Sequence, residues 1–479
     1  MRGSTLAAAG EVVELMLEVP QGQVLRYDMP ALCSALGVPP DRLTVETDGL
    51  RRAIVTIYPS NPLTQVRAVT REDLAMDRHG RIIVGVYHNG RPVRRRLYDP
   101  STGSAQRFLL FGTTGAGKSK ALQLQLIAEK INGICSWLGD LKFGQSVPEA
   151  KDQVDFHVHT PEGAILMLRS GVAVAHERMR RYSAAGRNSF ALGLDPLFHI
   201  HLDEINRLLE AGAPYRDEGA YLVKELGRTG RSVGVGAGLA AQAAHLEELG
   251  GSDTLRGMFK EGEVTLLRWS ASMMRQLVSD GLLPDGAQLM PIPKVLRTVT
   301  LRSQFDPDLD EDDDDAPGTQ GMGYVLSGPH PTSLMRHFRV GSIAPVAGLD
   351  PEILELYGPE EPVHLEEASW KAAGPAYAAR HDPEVMAALC QELQEEKEKE
   401  SKKVIPVGSG RQGAVLLQDR VWTALISAEE PMTADEVREA VLADGGKKVS
   451  LGGVRTTLGA LVDAGHAIRS AHGLYAPAQ

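Results

Sequence analysis

Short apolar runs recur between segments of helical period through the middle of this chain. Arg107-Phe108-Leu109-Leu110-Phe111 has the length and character of a buried strand. Residues 121–131 follow it with Leu122, Leu124, Leu126, Ile127 and Ile131 at mostly helical spacing. Two more such strands are Pro196-Leu197-Phe198-His199-Ile200-His201-Leu202 and the run from Val233 to Ala241. This alternation, over residues 101–343, predicts an α/β domain on a parallel sheet. The first hundred residues read differently. A helical stretch is expected at 11–17, then strands at 52–58, 81–87 and 93–98, with turn signals at His79-Gly80 and Asn89-Gly90. Residues 1–100 are therefore expected as a small α+β module.

Beyond 343 the pattern changes again. Residues 344–403 are rich in Pro and Glu and end in a charged run of helical composition, expected as an acidic, partly helical linker. Residues 404–479 regain globular patterning. Val421, Trp422, Leu425 and Ile426 share a helix face, and Thr433-Ala434-Asp435-Glu436 reads as a capping box. Ser450 can cap a third helix whose apolar face carries Leu451, Val454, Leu458, Leu461 and Val462. Ala467-Ile468-Arg469 and Leu474-Tyr475-Ala476 then flank His472-Gly473 as a hairpin. Three helices and a hairpin predict a winged helix-turn-helix.

Composition narrows the class. The 479 residues are 43% hydrophobic and too many for one ordinary core. Stretches of about 18 apolar residues, the length of a membrane span, are missing. Glu11 and Glu14 inside the first apolar stretch argue against a signal peptide. Cys33, Cys135 and Cys390 are odd in number and far apart, which fits neither a disulfide framework nor a zinc site. A reducing cytoplasm is the expected compartment, at most peripheral to a membrane. The net charge of −11 speaks against nucleic acid at first sight. Residues 306–315 alone carry eight of the acids, however, so the total says little about any one surface.

The chemistry-bearing motif is Gly112-Thr113-Thr114-Gly115-Ala116-Gly117-Lys118-Ser119, a full G-x-x-x-x-G-K-S between strand and helix. Its glycines let backbone N–H groups turn around a polyphosphate at a helix N-terminus. ATP and Mg²⁺ are the expected ligands, with Lys118 on the β/γ-phosphates and Ser119 on the metal. A second acid is expected at the end of a buried strand. Asp203 is read as the other metal-site residue and Glu204 as the group that polarises water. His199 and His201 on that strand are read as core or supporting residues. Gln242, at the tip of the next strand, would face the γ-phosphate. Arg228 and Arg231 precede that strand and suit an arginine finger acting on a neighbouring subunit.

Taken in order, these motifs resemble a known family. The loop, Gly139-Asp140-Leu141-Lys142, Glu177-Arg178-Met179-Arg180-Arg181-Tyr182, Leu202-Asp203-Glu204, Gly227-Arg228-Thr229-Gly230-Arg231 and the Gln242 strand look like the FtsK/SpoIIIE double-stranded DNA translocases, particularly the TraB-type transfer proteins of actinobacterial conjugative plasmids. The resemblance covers roughly residues 51–339. It implies a RecA-like motor that assembles as a hexameric ring and pumps duplex DNA through its pore. Asp140 and Lys142 match the family's Asp-Pro-Lys element, with Leu141 in place of proline. Ala243-Ala244 stands where the family has Arg-Pro, and the preceding strand is unusually rich in glycine. The family's membrane anchor has no counterpart here, so membrane contact is expected only through the N-terminal module or a partner.

For the tail, the resemblance implies a winged helix that reads short DNA repeats. Gly453, Arg455 and Thr456 lie on the outer face of its third helix, with Lys447, Lys448 and Arg469 as phosphate contacts. A protein-contact module has the same pattern. Three functions thus stand: a DNA translocase for plasmid transfer or DNA segregation, a coupling ATPase that hands protein substrates to a secretion channel, and a DNA-binding regulator switched by ATP. The tail favours DNA, and Glu204 favours turnover.

Overall fold

Residues 13–18 show how side-chain period decides an element. Val13, Leu15 and Leu17 alternate with Glu14, Met16 and Glu18, and a period of two puts the first set on one face of a strand. The computed structural model describes residues 11–242, 253–268, 283, 289–296, 317–403, 417–428, 430–443, 449–463, 466–469 and 473–477. In it Val13–Glu18 is strand β1, antiparallel to β3 (Arg52–Ile57), so the helix expected there is replaced by a strand. β2 (Leu43–Thr47) pairs with the other side of β3. Helix α1 (Met29–Leu36), capped by Asp28 on the Ala31 amide, contributes Met29 and Cys33 to the same small core as Leu43, Val45 and Val55.

One sheet of ten strands dominates the unit spanning Met1–Glu400. Its parallel half contains β8 (Arg107–Gly112), β9 (Cys135–Asp140), β10 (Phe156–Val158), β11 (Phe198–Asp203), β12 (Val235–Ala241) and β13 (Glu263–Leu267), in the order β10-β9-β11-β12-β8-β13. β8, β9, β11 and β12 are buried along their whole length, as strands covered on both faces must be. The antiparallel half continues from β13 through β14 (Met322–Val325) and β15 (Met335–His337) to β4 (Arg81–Tyr87) and β5 (Pro92–Arg96). β4 and β5, expected inside a separate first module, are thus the outer strands of the large sheet. A short hairpin, β6 (Tyr98–Asp99) with β7 (Ser104–Ala105), leads into β8.

Helices cover the sheet. In chain order they are α2 (Arg71–Leu74), α3 (Lys118–Ile131), α4 (Pro161–Ala184), α5 (Asn206–Leu209), α6 (Arg216–Thr229) and α7 (Asp253–Lys260). Residues expected as a linker form α8 (Pro351–Tyr357), α9 (Glu367–Ala373), α10 (Pro375–Ala378) and the start of α11 (Pro383–Lys403). Tyr357 and Tyr377 on this stretch are fully buried in the main core, which a solvated linker would not supply. Tyr377 Oη donates to Asp155 at 2.7 Å and stacks on Trp137. None of the described helices is long and apolar enough to cross a membrane.

The second unit, Ser401–Gln479, contains α12 (Leu417–Ile426), α13 (Ala434–Ala443) and α14 (Leu451–Asp463) with β16 (Met432–Thr433), β17 (Ala467–Arg469) and β18 (Leu474–Pro477). β18 is the central strand of three. Val421, Leu425, Val437, Val441, Val454, Leu458, Leu461 and Tyr475 form its core. Glu436 accepts from the Thr433 amide at 2.7 Å while Thr433 Oγ1 accepts from the Glu436 amide at 3.2 Å, a reciprocal cap.

The glycine content of β12 has a packing cause. A methyl group at Gly238 would stand 2.1 Å from Phe108 Cζ, and one at Gly236 would stand 2.5 Å from both the Gln106 carbonyl oxygen and the His199 ring. β12 is therefore side-chain-poor where its two neighbours need room for rings. Gly236→Ala should destabilise the fold by about 1–3 kcal/mol, since a backbone oxygen cannot rotate away. Urea unfolding measures this, and an unchanged midpoint would show that the sheet can open there freely.

Candidate functional site

The loop between β8 and α3 is shaped by two left-handed glycines, Gly115 at φ 73° and Gly117 at φ 98°. Gly117 could not carry a side chain for a second reason: a methyl group there would meet the Gly321 amide nitrogen at 2.9 Å. That same amide donates to Ala116 O, also at 2.9 Å, and braces the loop from the side of β14. Lys118 is 8% exposed, and its Nζ donates back to Gly112 O at 2.8 Å, closing the loop on itself. Gly117 brings no side chain to cap α3, so the first amides of the helix are left for the loop's interior. Thr113, Thr114 and Ser119 are at least partly solvent-accessible along the same turn.

β12 separates β8 from β11, and three strand tips meet beside the loop. Asp203 ends β11 in register with Asp140 at the end of β9. It is 2% exposed, and burial pushes its carboxyl up; the Ser146 hydroxyl opposes this, Asp140 and Glu204 add to it, and Lys118 lowers it again. Its Oδ1 is buried with no hydrogen-bond partner. An orphaned oxygen on an acid that feels two other carboxylates and the Lys118 ammonium fits a divalent cation that brings its own water.

Glu204 follows at φ 52°, a left-handed conformation that a non-glycine residue rarely adopts. Its carboxylate is buried and held from both sides. Lys142 Nζ lies 2.9 Å from Oε1, and Gln242 Nε2 lies 3.3 Å from Oε2. Lys142 is brought there by Asp140, whose carboxylate accepts from the amides of Lys142 (3.0 Å), Ser146 (2.8 Å) and Val147 (3.4 Å). Asp140 thus shapes the turn, with Leu141 buried inside it. Gln242, read from sequence as facing a γ-phosphate, touches Glu204.

Arg228 and Arg231 stay away from this cluster. Arg228 sits in the last turn of α6, its side chain 61% exposed and 4.0 Å from Glu225. Arg231 is exposed just before β12. The loop lies at the other end of the parallel strands, and the seven residues of β12 put about 20 Å between the two ends. Neither arginine serves the loop of its own chain.

Beneath the site, a buried carboxylate ties α3 to β11. Glu129 is 0% exposed, with His199 Nδ1 2.7 Å from Oε1 and His201 Nε2 2.7 Å from Oε2. Gln125 Nε2 (2.8 Å) and Ser136 Oγ (2.6 Å) complete four donors. Burial opposes its charge, yet the facing His201 and His199 rings hold its carboxyl far below the usual range. The trio has the residue types of a metal site. Its spacing is that of hydrogen bonds, however, since ligands on a tetrahedral zinc stand roughly 3.3 Å apart. His199 Nε2 and His201 Nδ1 also lack the partners that metal-bound imidazoles require of their outer nitrogens. The sequence reading of both histidines as supporting residues agrees with this; Glu129 was missed, although a polar residue inside an otherwise apolar helix stretch was its signal.

In the second unit, α14 carries the expected Gly453, Arg455 and Thr456. The Gly453 amide donates to Ser450 Oγ at 3.1 Å, Thr456 Oγ1 donates to Gly452 O at 3.0 Å, and Arg455 is exposed with Asp435 3.9 Å away. Arg469 lies over the Tyr475 ring at 5.6 Å beside an exposed Ile468. Lys447, Lys448 and His472 lie outside the described residues, as do Ala243, Ala244 and the acidic run 306–315.

No family model and no curated protein matches the chain. Among solved structures it is similar to the pCW3 conjugation coupling protein TcpA, monomer form with ATPγS, at 14% identity and TM-score 0.43 over 69% of this chain and 86% of that one. It is also similar to the cytoplasmic domain of the Thermomonospora curvata type VII secretion ATPase EccC, at 17% identity and TM-score 0.41 over 71% and 35% of the two chains. VirB4 of Thermoanaerobacter pseudethanolicus aligns at 9% identity and TM-score 0.31 over 56% and 98%. Each TM-score is below 0.5, too low to carry function to this chain.

Glu129→Leu should cost about 3–5 kcal/mol, because four buried donors lose their acceptor together. Chemical denaturation reads this directly. Treatment with a chelator should leave the melting temperature of the nucleotide-free protein unchanged; a clear drop would mean that a cation, not protons, holds the histidines to Glu129.

Proposed function

We propose that the chain is a RecA-like P-loop ATPase that drives duplex DNA, of the FtsK/SpoIIIE translocase type. The observation that carries this reading is the meeting of Asp203, Glu204 and Gln242, at the tips of neighbouring strands, with Lys118 at the start of α3. Gly112 through Gly117 would cradle the triphosphate of ATP with backbone amides, and Lys118 would neutralise its β- and γ-oxygens. Ser119 and Asp203 would hold Mg²⁺, which when bound supplies charge neutralisation between those phosphates. Glu204 would orient water and accept its proton, once its oxygens are freed from Lys142 and Gln242. Gln242 would report on Glu204 rather than on phosphate alone. The exposure of Arg228 and Arg231, far from their own loop, supports a finger acting across a subunit contact, and hence the hexameric ring that the motif resemblance implies.

The second unit would be a winged helix that selects the DNA. Arg455 and Thr456 on α14 would meet base edges, and Lys447, Lys448 and Arg469 phosphates. One observation favours the protein-handling alternative: Arg455 has an acid 3.9 Å away, and an exposed Ile468 stands at the same edge as Arg469. ATPase rate with and without plasmid duplex separates the two readings, because a protein-coupling ATPase has no reason to respond to duplex.

Glu204→Gln should keep nucleotide binding and lower turnover about 100-fold or more, since an amide accepts a proton poorly. Lys118→Ala should weaken binding itself. Mixing Arg231→Ala with Lys118→Ala subunits should restore part of the activity at interfaces that regain both parts. Absence of rescue, together with a rate independent of protein concentration, would mean a self-contained site. In the tail, Arg455→Ala should cost about 1–3 kcal/mol and relax sequence preference. A binding titration of the full chain against pooled duplexes from its own replicon checks this; equal affinity for every sequence removes the tail from DNA selection.

A further inference from the structure

Among the described residues, three non-glycines have a left-handed backbone: Phe143 (φ 58°), Glu204 (φ 52°) and Arg268 (φ 42°). Each stands just past the carboxyl end of a parallel strand, β9, β11 and β13 respectively. Ligands of open α/β sheets bind along that edge, and strain at a non-glycine residue persists where the surroundings impose it. Glu204 already belongs to the nucleotide site. Arg268 belongs to no motif, yet it borders the loop from the side opposite the acids.

β13 pairs in parallel with β8, and Leu267 is level with Gly112, so Arg268 runs alongside the loop. The Thr113 hydroxyl approaches its carbonyl oxygen at 3.5 Å, and a methyl group at Gly115 would stand 3.5 Å from Arg268 Nη1. The residue is more than nine-tenths buried. Its Nε donates to Thr319 Oγ1 at 3.1 Å, and Thr319 is itself fixed on the Lys294 carbonyl at 3.0 Å. No carboxylate among the described residues pairs with it. Burial alone acts on its charge, in the direction of weakening it. A buried guanidinium is costly unless it is paired, and its Nη1 points at the loop, where an anionic ligand would pair with it.

We infer that Arg268 is a phosphate ligand of the bound nucleotide, acting within its own chain from outside the phosphate-loop motif. The inference rests on the nucleotide reading of the loop. The segment Thr319-Gln320-Gly321 then serves twice, since Thr319 aims the arginine and Gly321 braces Ala116. The guanidinium offers its Nη donors to oxygens of the phosphate chain on the face of the loop that Lys118 does not cover.

The test is affinity of the full chain for fluorescent mant-ATP and mant-ADP in Mg²⁺, for wild type, R268Q, R268K and K118A, with the nucleotide-free melting temperature of each. R268Q should lose roughly 10- to 100-fold in affinity, the range of a charged hydrogen-bonded pair, at an unchanged melting temperature. R268K, which keeps the charge but not the fork, should fall between R268Q and wild type. Loss for both nucleotides places the arginine on the α- or β-phosphate, and loss for mant-ATP alone places it on the γ-phosphate. Wild-type affinity in R268Q, while K118A fails to bind, overturns the inference and leaves the nucleotide site standing. An R268Q protein that melts well below wild type, with R268K binding like wild type, also overturns it, since the arginine is then only a brace for Thr319. No binding by wild type discards the nucleotide reading itself.

Discussion

The buried carboxylate of Glu129 is the interaction on which the site depends. It sits on the helix that opens with the phosphate-type loop, and its four donors come from that helix, from β9 and from β11. β11 is the strand that ends in Asp203 and Glu204, and another strand separates it from β8. Loop and acids therefore reach one another only if α3 lies at a fixed height across the sheet. Apolar contacts alone would let the helix slide; a charge that accepts four hydrogen bonds in a dry interior has a single seat. The side-chain-poor β12 completes this arrangement, since His199 and Phe108 occupy the space that larger residues would have taken.

From that seat the edge of the sheet is built outward by short polar devices. Asp140 turns the chain after β9 and hands Lys142 to Glu204, while Gln242 closes in from β12. Glu204 is held in an uncommon backbone conformation with both oxygens engaged. A carboxylate so engaged is positioned but occupied, with a lysine on one oxygen and an amide on the other. On the far side Arg268 and Gly321 enclose the loop. The loop is thus flanked on both sides, by the acids with Lys142 on one and by Arg268 on the other, with the left-handed glycines between them.

Much of this was legible in the sequence, and the physical reasons divide the cases. The loop motif, the strand before it and the helix after it are local, so their spacing was enough. The tips of β11 and β12 were legible because buried parallel strands read as continuous apolar runs that end in a polar residue, whereas the tip of β9 was singled out only through the family resemblance of Asp140 and Lys142. The first strand was misread because Glu11 to Leu17 places its apolar residues so that a helical period and a period of two compete. Pairing with β3, a tertiary contact, decides for the strand. Residues 344–403 read as a linker because their Pro and Glu content outweighs the scattered apolar positions, and only contact with the main core shows that Ile353, Tyr357, Leu365 and Tyr377 are buried. Arg268 gave no signal at all, for its meaning lies in a neighbour 153 positions earlier, at Gly115.

The mixed sheet also governs how the chain can be assembled. β4 and β5 form a hairpin early in the chain, but the strand that joins them to the sheet is β15, with Met335 opposite Tyr87. During synthesis from the N-terminus, the edge of β4 stays unpaired until nearly 250 further residues have emerged. By then the parallel strands β8 to β13 are complete and present an edge of their own at β13. The two halves are joined through β14 and β15 late, by contacts of very high sequence separation, which are slow to form and leave open edges exposed meanwhile. The joining contacts therefore fall at a seam near residues 322–337, and a chain that stops short of that seam leaves the edges of β4 and β13 unpaired.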